Sequence, residues 1–151
     1  MNEQEYAGFW IRTGAAIIDS ILVLIIAGPI LTAIYGTDYW VSEFVVQGFW
    51  DVFFNYILPP IAALIFWIYK SATPGKMATK LTIVDSKTGG TPTTGQFIVR
   101  YLGYYVSMFP LFLGIIWVGI DKRKQGWHDK LAGTVVIRIN KSEPVRFEDQ
   151  V

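Results

Sequence analysis

The 151 residues contain no cysteine and a single histidine, His128. Without cysteine there is no disulfide scaffold, and the redox compartment stays open. One imidazole with no thiolate beside it cannot complete a structural zinc set. The chain has no Gly-x-y period, and its mean hydropathy is +0.38, which excludes collagen-like and disordered classes. Familiar catalytic signatures are missing too. There is no Gly-x-Ser-x-Gly elbow and no His-Glu-x-x-His. Thr73-Pro74-Gly75-Lys76 lacks the upstream glycine and the following Ser/Thr of a phosphate-binding loop. No nucleophile stands beside a base at a workable spacing, so the sequence reads as a non-enzyme with no cofactor.

Charge is scarce in three places. None occurs between Asp19 and Asp38, between Asp51 and Lys70, or between Arg100 and Asp121, gaps of 18, 18 and 20 residues. Each approaches the roughly 20 apolar residues that cross a bilayer core of about 30 Å. Three such runs in a chain this short exceed what the remaining polar residues can shield in water, so the sequence predicts an integral membrane protein. The acidic start Met1-Asn2-Glu3-Gln4-Glu5 is unlike a signal peptide, and the first run reads as a retained anchor.

Basic residues are absent from the loop Asp38–Asp51, which holds three acids. Residues 70–100 hold Lys70, Lys76, Lys80, Lys87 and Arg100 against one acid, Asp85. The positive-inside rule puts the first loop outside, the second in the cytoplasm, and the N-terminus in the cytoplasm as well. The first helix is expected at about residues 9–35 and the second at 52–69. Tyr39, Trp40, Phe49 and Trp50 suit the headgroup level between them. Leu81-Thr82-Ile83-Val84 and the alternating Val135, Ile137 and Ile139 predict cytoplasmic strands, within 81–93 and 134–139, that pair with each other. Residues 141–151 read as a polar tail.

If residues 101–120 crossed once, those two strands would be separated, and Lys122, Arg123, Lys124 and Lys130 would lie outside. Two further crossings would need about 40 residues, more than this stretch supplies. Pro110 breaks the run. The expected fold is therefore an α-helical membrane protein of two transmembrane helices, a Pro-bent re-entrant or interfacial hairpin over 95–120, and a small cytoplasmic β element. Three or four transmembrane helices are the alternative. The domain spans residues 6–140.

Asp19 lies inside the first apolar run, where an acid costs on the order of 3 kcal/mol at the bilayer centre and marks either an ion or proton site or a paired packing contact. Arg12, seven residues earlier, shares its helix face at about 10 Å, too far for direct pairing unless both lean inward. Arg12 is alternatively an interfacial anchor. His128-Asp129 suits a proton shuttle at about pH 6–7 or a helix cap, and Asp129 is positioned to meet Arg12. Pro29, Pro59-Pro60 and Pro110 each free a carbonyl in an apolar run, a device of cation-coordinating transporters. Asn55, one turn before Pro59, and Arg100 are secondary candidates. Lys122-Arg123-Lys124 beside a membrane segment suggests lipid headgroups and not nucleic acid.

Tyr6-Ala7-Gly8-Phe9-Trp10 with Arg12, Ile18-Asp19, Thr73-Pro74-Gly75-Lys76, Leu81 to Asp85, Gly95-Gln96 with Arg100, and Trp127 to Thr134 together resemble the RDD family of small membrane proteins. The family is named for an arginine and two aspartates. The resemblance implies that Arg12 and Asp19 are the first two of these and Asp129 the third, with Asp85 and Asp121 as alternatives. It also implies either transport, including sodium/proton exchange, or a part in assembling membrane complexes.

The sequence thus leads to a small multipass protein of the bacterial cytoplasmic membrane. The expected activity is cation or proton-coupled transport centred on Asp19, in a homo-oligomer or with a partner membrane protein. Monovalent cations or protons would be its ligands. A non-catalytic scaffold or assembly factor is the rival.

Overall fold

A computed structural model describes residues 5–139 of the chain. Helix α1 runs Phe9–Tyr35 through Pro29 and stops at Gly36, whose φ of 79° turns the chain out of the helix. The following turn, Thr37–Val41, folds back, and Trp40 Nε1 donates to Thr32 Oγ1 at 2.9 Å. Helix α2 runs Phe49–Lys70, starting one turn earlier than the apolar pattern suggests because Asp51 is buried in its first turn. One wide π-helical turn, Phe53–Ile57, precedes Pro59-Pro60. Two prolines without N–H groups interrupt the regular ladder, and the wide turn takes up the slip. Both α1 and α2 are long and apolar enough to cross a membrane.

Beyond α2, the short helix α3 (Pro74–Ala78) leads into β1 (Leu81–Asp85). Strand β1 ends at Asp85, short of the expected residue 93, because the Asp85 carboxylate accepts from Lys87 N at 2.8 Å and Thr88 N at 2.9 Å and forms a turn. Residues 91–93 then lead to helix α4 (Thr94–Met108), with Thr93 and Gln96 capping each other reciprocally. A bend of 112° separates α4 from α5 (Leu113–Gly119). Leu111 and Phe112, at φ 54° and 61°, reverse the chain just after Pro110. Helix α6 (Trp127–Ala132) and strand β2 (Thr134–Arg138) follow. The tail from 141 lies outside the described residues.

The two strands pair antiparallel, from Leu81 opposite Arg138 to Asp85 opposite Thr134. On the other edge of β2, Ala7 N donates to Val136 O and Arg138 N to Glu5 O, both at 2.9 Å. The start of the chain, the end of α2 and the end of the hairpin therefore gather at one sheet. A segment whose two ends meet in the same sheet does not carry the chain across a membrane once. Helix α4, with 15 residues, reaches about 22 Å, short of a crossing. Residues 94–119 form a sharply bent helix pair that leaves from and returns to the same sheet.

The core lies where this sheet meets the helix bases. Ala7, Ala15, Trp67, Leu81, Ile83, Phe97 and Val136 are buried together, with Tyr104 packed against them. Away from it the helices carry their apolar side chains outward: only 17% of the most apolar stretch of α1 and 6% of that of α2 are covered by the rest of the chain. Such faces are matched to lipid or to another membrane chain.

Candidate functional site

Helix α6 starts at Gly126 without a side-chain cap, and the acid in its first turn takes that place: Asp129 Oδ2 accepts from Gly126 N at 3.0 Å. The same oxygen accepts from Arg12 Nη1 of α1 at 2.5 Å, while Oδ1 accepts from Arg100 Nη1 of α4. One carboxylate thus binds three elements. Asp129 and Arg100 are fully buried. Arg12 also donates to Ala7 O at 2.9 Å and to Lys124 O at 2.5 Å. Arg100 donates to Thr134 Oγ1 at 2.9 Å and Tyr104 Oη at 3.4 Å. Its guanidinium lies over the rings of Trp67, at 5.5 Å, and Tyr104, at 5.7 Å, an arrangement in which the ring faces replace part of its lost hydration.

Burial pushes the Asp129 carboxyl up, but Arg100 and Arg12 outweigh it and hold the group well below the usual carboxylate range. Asp129 therefore stays ionised, a locked counter-ion rather than the proton acceptor the sequence suggested.

His128 is buried, and its ring stacks on Tyr104 at 4.0 Å between centroids. Burial pushes the imidazole down to about 3, with Arg100 and Arg12 adding to the effect against the pull of Asp129. It is neutral at physiological pH, and a shuttle at about pH 6–7 does not fit this environment. The backbone N–H of His128 donates to Ser107 Oγ at 3.1 Å, tying α6 to α4. The approach needs Gly103, where a Cβ would stand 2.9 Å from His128 Cα.

Asp19 and Arg12 share a face of α1 yet reach different elements. Asp19 Oδ2 accepts from Thr73 Oγ1 at 2.5 Å and Oδ1 from Gly75 N at 2.7 Å. Both donors are neutral. Among the described residues no cation lies within 4.0 Å of Asp19. Thr73 caps α3 and Pro74 opens it, so a rigid turn presents the two donors to the acid. Glycine is required at 75, since a Cβ would lie 2.0 Å from the Ala15 carbonyl oxygen.

Asn55 does not join this cluster. Its amide donates to Asp51 Oδ1 at 2.6 Å and to Tyr39 Oη at 3.0 Å, a polar knot roughly 18 Å along α2 from Trp67. Asp85 serves the turn after β1. Asp121 pairs with Lys130 at 2.7 Å. The aspartate that meets Arg12 is Asp129. Among the described residues no three His, Asp or Glu side chains gather in a way that suits a metal.

Arg100, a secondary candidate in the sequence, lies at the centre. Lys76, Trp67, Tyr104 and Thr134 were not singled out as site residues. Arg100 and Lys76 count there as topology charges, and Trp67 and Tyr104 are given no role. A usable signal existed for Thr73: a threonine before proline and glycine is a helix-start pattern.

Uncharacterized protein YxaI of Bacillus subtilis (strain 168) is 29% identical over 150 residues, covering 87% of this chain and 96% of that protein. Uncharacterized protein RP437 of Rickettsia prowazekii (strain Madrid E) is 44% identical over 73 residues, covering 48% of this chain and 40% of that protein. The chain therefore spans well under two thirds of the Rickettsia relative. No solved structure matches. The RDD family model matches residues 6–133, a span that takes in Arg12, Asp19, Arg100 and Asp129 together with both ends of the hairpin. The chain is a member of the RDD family.

Proposed function

We propose that this protein moves a monovalent cation or a proton across the cytoplasmic membrane, with Asp19 as the acid that takes it up. The observation that carries this reading is the contrast between the two buried-site acids. Asp129 is neutralised by two guanidiniums, whereas Asp19, in an apolar span, is held by neutral donors alone. An acid in an apolar span whose direct partners are all neutral is a natural cation or proton site. Arg12, Arg100 and Asp129 would hold the helices around it. The basic excess of residues 70–100 supports a cytoplasmic position for the sheet and both chain ends. Two spans and a hairpin enclose little by themselves, so a homo-oligomer or a partner membrane protein would complete the pathway. The test is flux in liposomes under Na⁺, K⁺ and proton gradients. Wild type should conduct and Asp19→Asn should not; equal silence of both sinks the reading.

The thinly covered faces of α1 and α2 favour one second reading, a non-catalytic assembly factor. It expects Asp19→Asn and Arg12→Ala to change co-purifying partners or abundance with no flux in any variant.

A further inference from the structure

Lys76 is the charged residue that none of the roles above uses. It sits on α3, between Gly75, which is pressed against the backbone of α1, and the first residues of the sheet. It is only 9% exposed. Among the described residues no carboxylate lies within 4.0 Å of its ammonium, and it donates to no side chain or carbonyl there. The buried side-chain nitrogens left without a partner among the described residues are Trp67 Nε1 and Arg100 Nε, so Lys76 has a buried stem whose ammonium still reaches water.

Its charged surroundings come from two packed elements. From α1, Arg12 and Asp19 act on it; from α4, Arg100 and Tyr104 do. Arg12 and Arg100 repel an ammonium at this position, and their own counter-ion, Asp129, is already shared between them. Counting Arg12, Arg100 and Lys76 against Asp19 and Asp129, a protonated Lys76 leaves one positive charge in excess in a buried cluster. A neutral amine leaves none.

We propose that Lys76 is the proton-exchanging group of this site, its amine losing a proton when a monovalent cation is held at Asp19 and regaining it when the cation leaves. The inference rests on the reading of Asp19 as the cation site. The step is balanced: the amine gives H⁺ to water on the side of the sheet, and one monovalent cation replaces the lost positive charge next to the Asp19 carboxylate. Burial pushes the Lys76 ammonium down, and Arg100 and Arg12 push the same way against Tyr104 and Asp19. The cluster therefore favours the free amine more than an exposed position does, and a cation drawn to Asp19 weakens one of the two groups that favour the charged form, Tyr104 being the other.

The test is a side-chain NMR titration of lysine labelled with ¹³C and ¹⁵N in the full chain in micelles. The Lys76 signal is identified by its loss in Lys76→Met, or in Lys76→Gln if the first variant misfolds. The Lys76 signal should titrate at lower pH than those of the other lysines. Its midpoint should fall further when Na⁺ replaces a bulky organic cation, and further again in Asp19→Asn. Titration together with the exposed lysines overturns the proposal. So does a signal that stays charged and moves on addition of chloride or phosphate, since an anion would then be the counter-ion. A shifted midpoint indifferent to both Na⁺ and Asp19→Asn overturns the coupling. Liposome flux separates the two ideas: flux with an ordinary Lys76 titration leaves transport standing without this inference, and the expected titration without flux leaves the coupled site without transport.

Discussion

At the scale of single residues, the site is organised by one carboxylate that cannot let go of its charge. Removing half of a buried ion pair leaves the other half unpaired, which typically costs about 3–5 kcal/mol. Asp129→Asn strands both Arg12 and Arg100. It should lower the thermal midpoint in detergent sharply or abolish recovery of folded protein; a variant as stable as wild type would show that the cluster does not hold the fold. His128 gives a second expectation, with a definite sign. The folded chain keeps the imidazole neutral down to about 3, whereas an unfolded chain protonates it near its ordinary value of about 6.5. Between these limits the unfolded state binds the extra proton. His128 therefore contributes a loss of stability as pH falls below about 6.5, at up to about 1.4 kcal/mol per pH unit. Melting curves from neutral pH downward should show this slope, and His128→Phe should flatten its upper part. Neither behaviour was legible from Trp127-His128-Asp129-Lys130 as a string, because the burial that silences His128 and the guanidiniums of Arg12 and Arg100 that hold Asp129 ionised are supplied by distant parts of the chain.

At the scale of elements, close backbone approach is what brings the pieces of the site together. The short helix α3 lies against α1 only because residue 75 has no side chain. In Gly75→Ala the new methyl would overlap the Ala15 carbonyl, and overpacking of this kind costs about 1–3 kcal/mol or more. The Thr73 and Gly75 donors would be pushed off Asp19. The expected result is a lower melting point and a loss of any Asp19-dependent flux, with Ala16→Gly, on an exposed part of α1, as the control that leaves flux in place. The apolar runs, the pairing of two strands and the break at Pro110 were all readable from the order of residues. The end of β1 at Asp85 and the wide turn before Pro59 were not, since each follows from hydrogen bonds made or lost by particular backbone groups.

At the scale of the whole molecule, the sheet gathers the chain start, the loop after α2 and the exit of the hairpin on one side, and the turn between α1 and α2 lies at the far end of both spans. Cysteine placed at exposed Lys87 or Lys122 should react with a membrane-impermeant maleimide from the same side, and cysteine at exposed Glu43 from the opposite side. Lys122→Cys labelled together with Glu43→Cys would overturn the re-entrant hairpin. The native chain has no cysteine, so each label reports one position. The sequence by itself determined the membrane class, the two spans and the hairpin, because a bilayer excludes charge and unpaired backbone wherever a chain crosses it, and that exclusion is written as charge-free length and as a proline. Only the tertiary structure decided the chemistry of the polar residues. Arg12, Lys76, Arg100 and Asp129 stand far apart in the chain, and whether a buried charge is locked, silenced or left without a partner depends on which other charges the fold brings within a few ångströms of it.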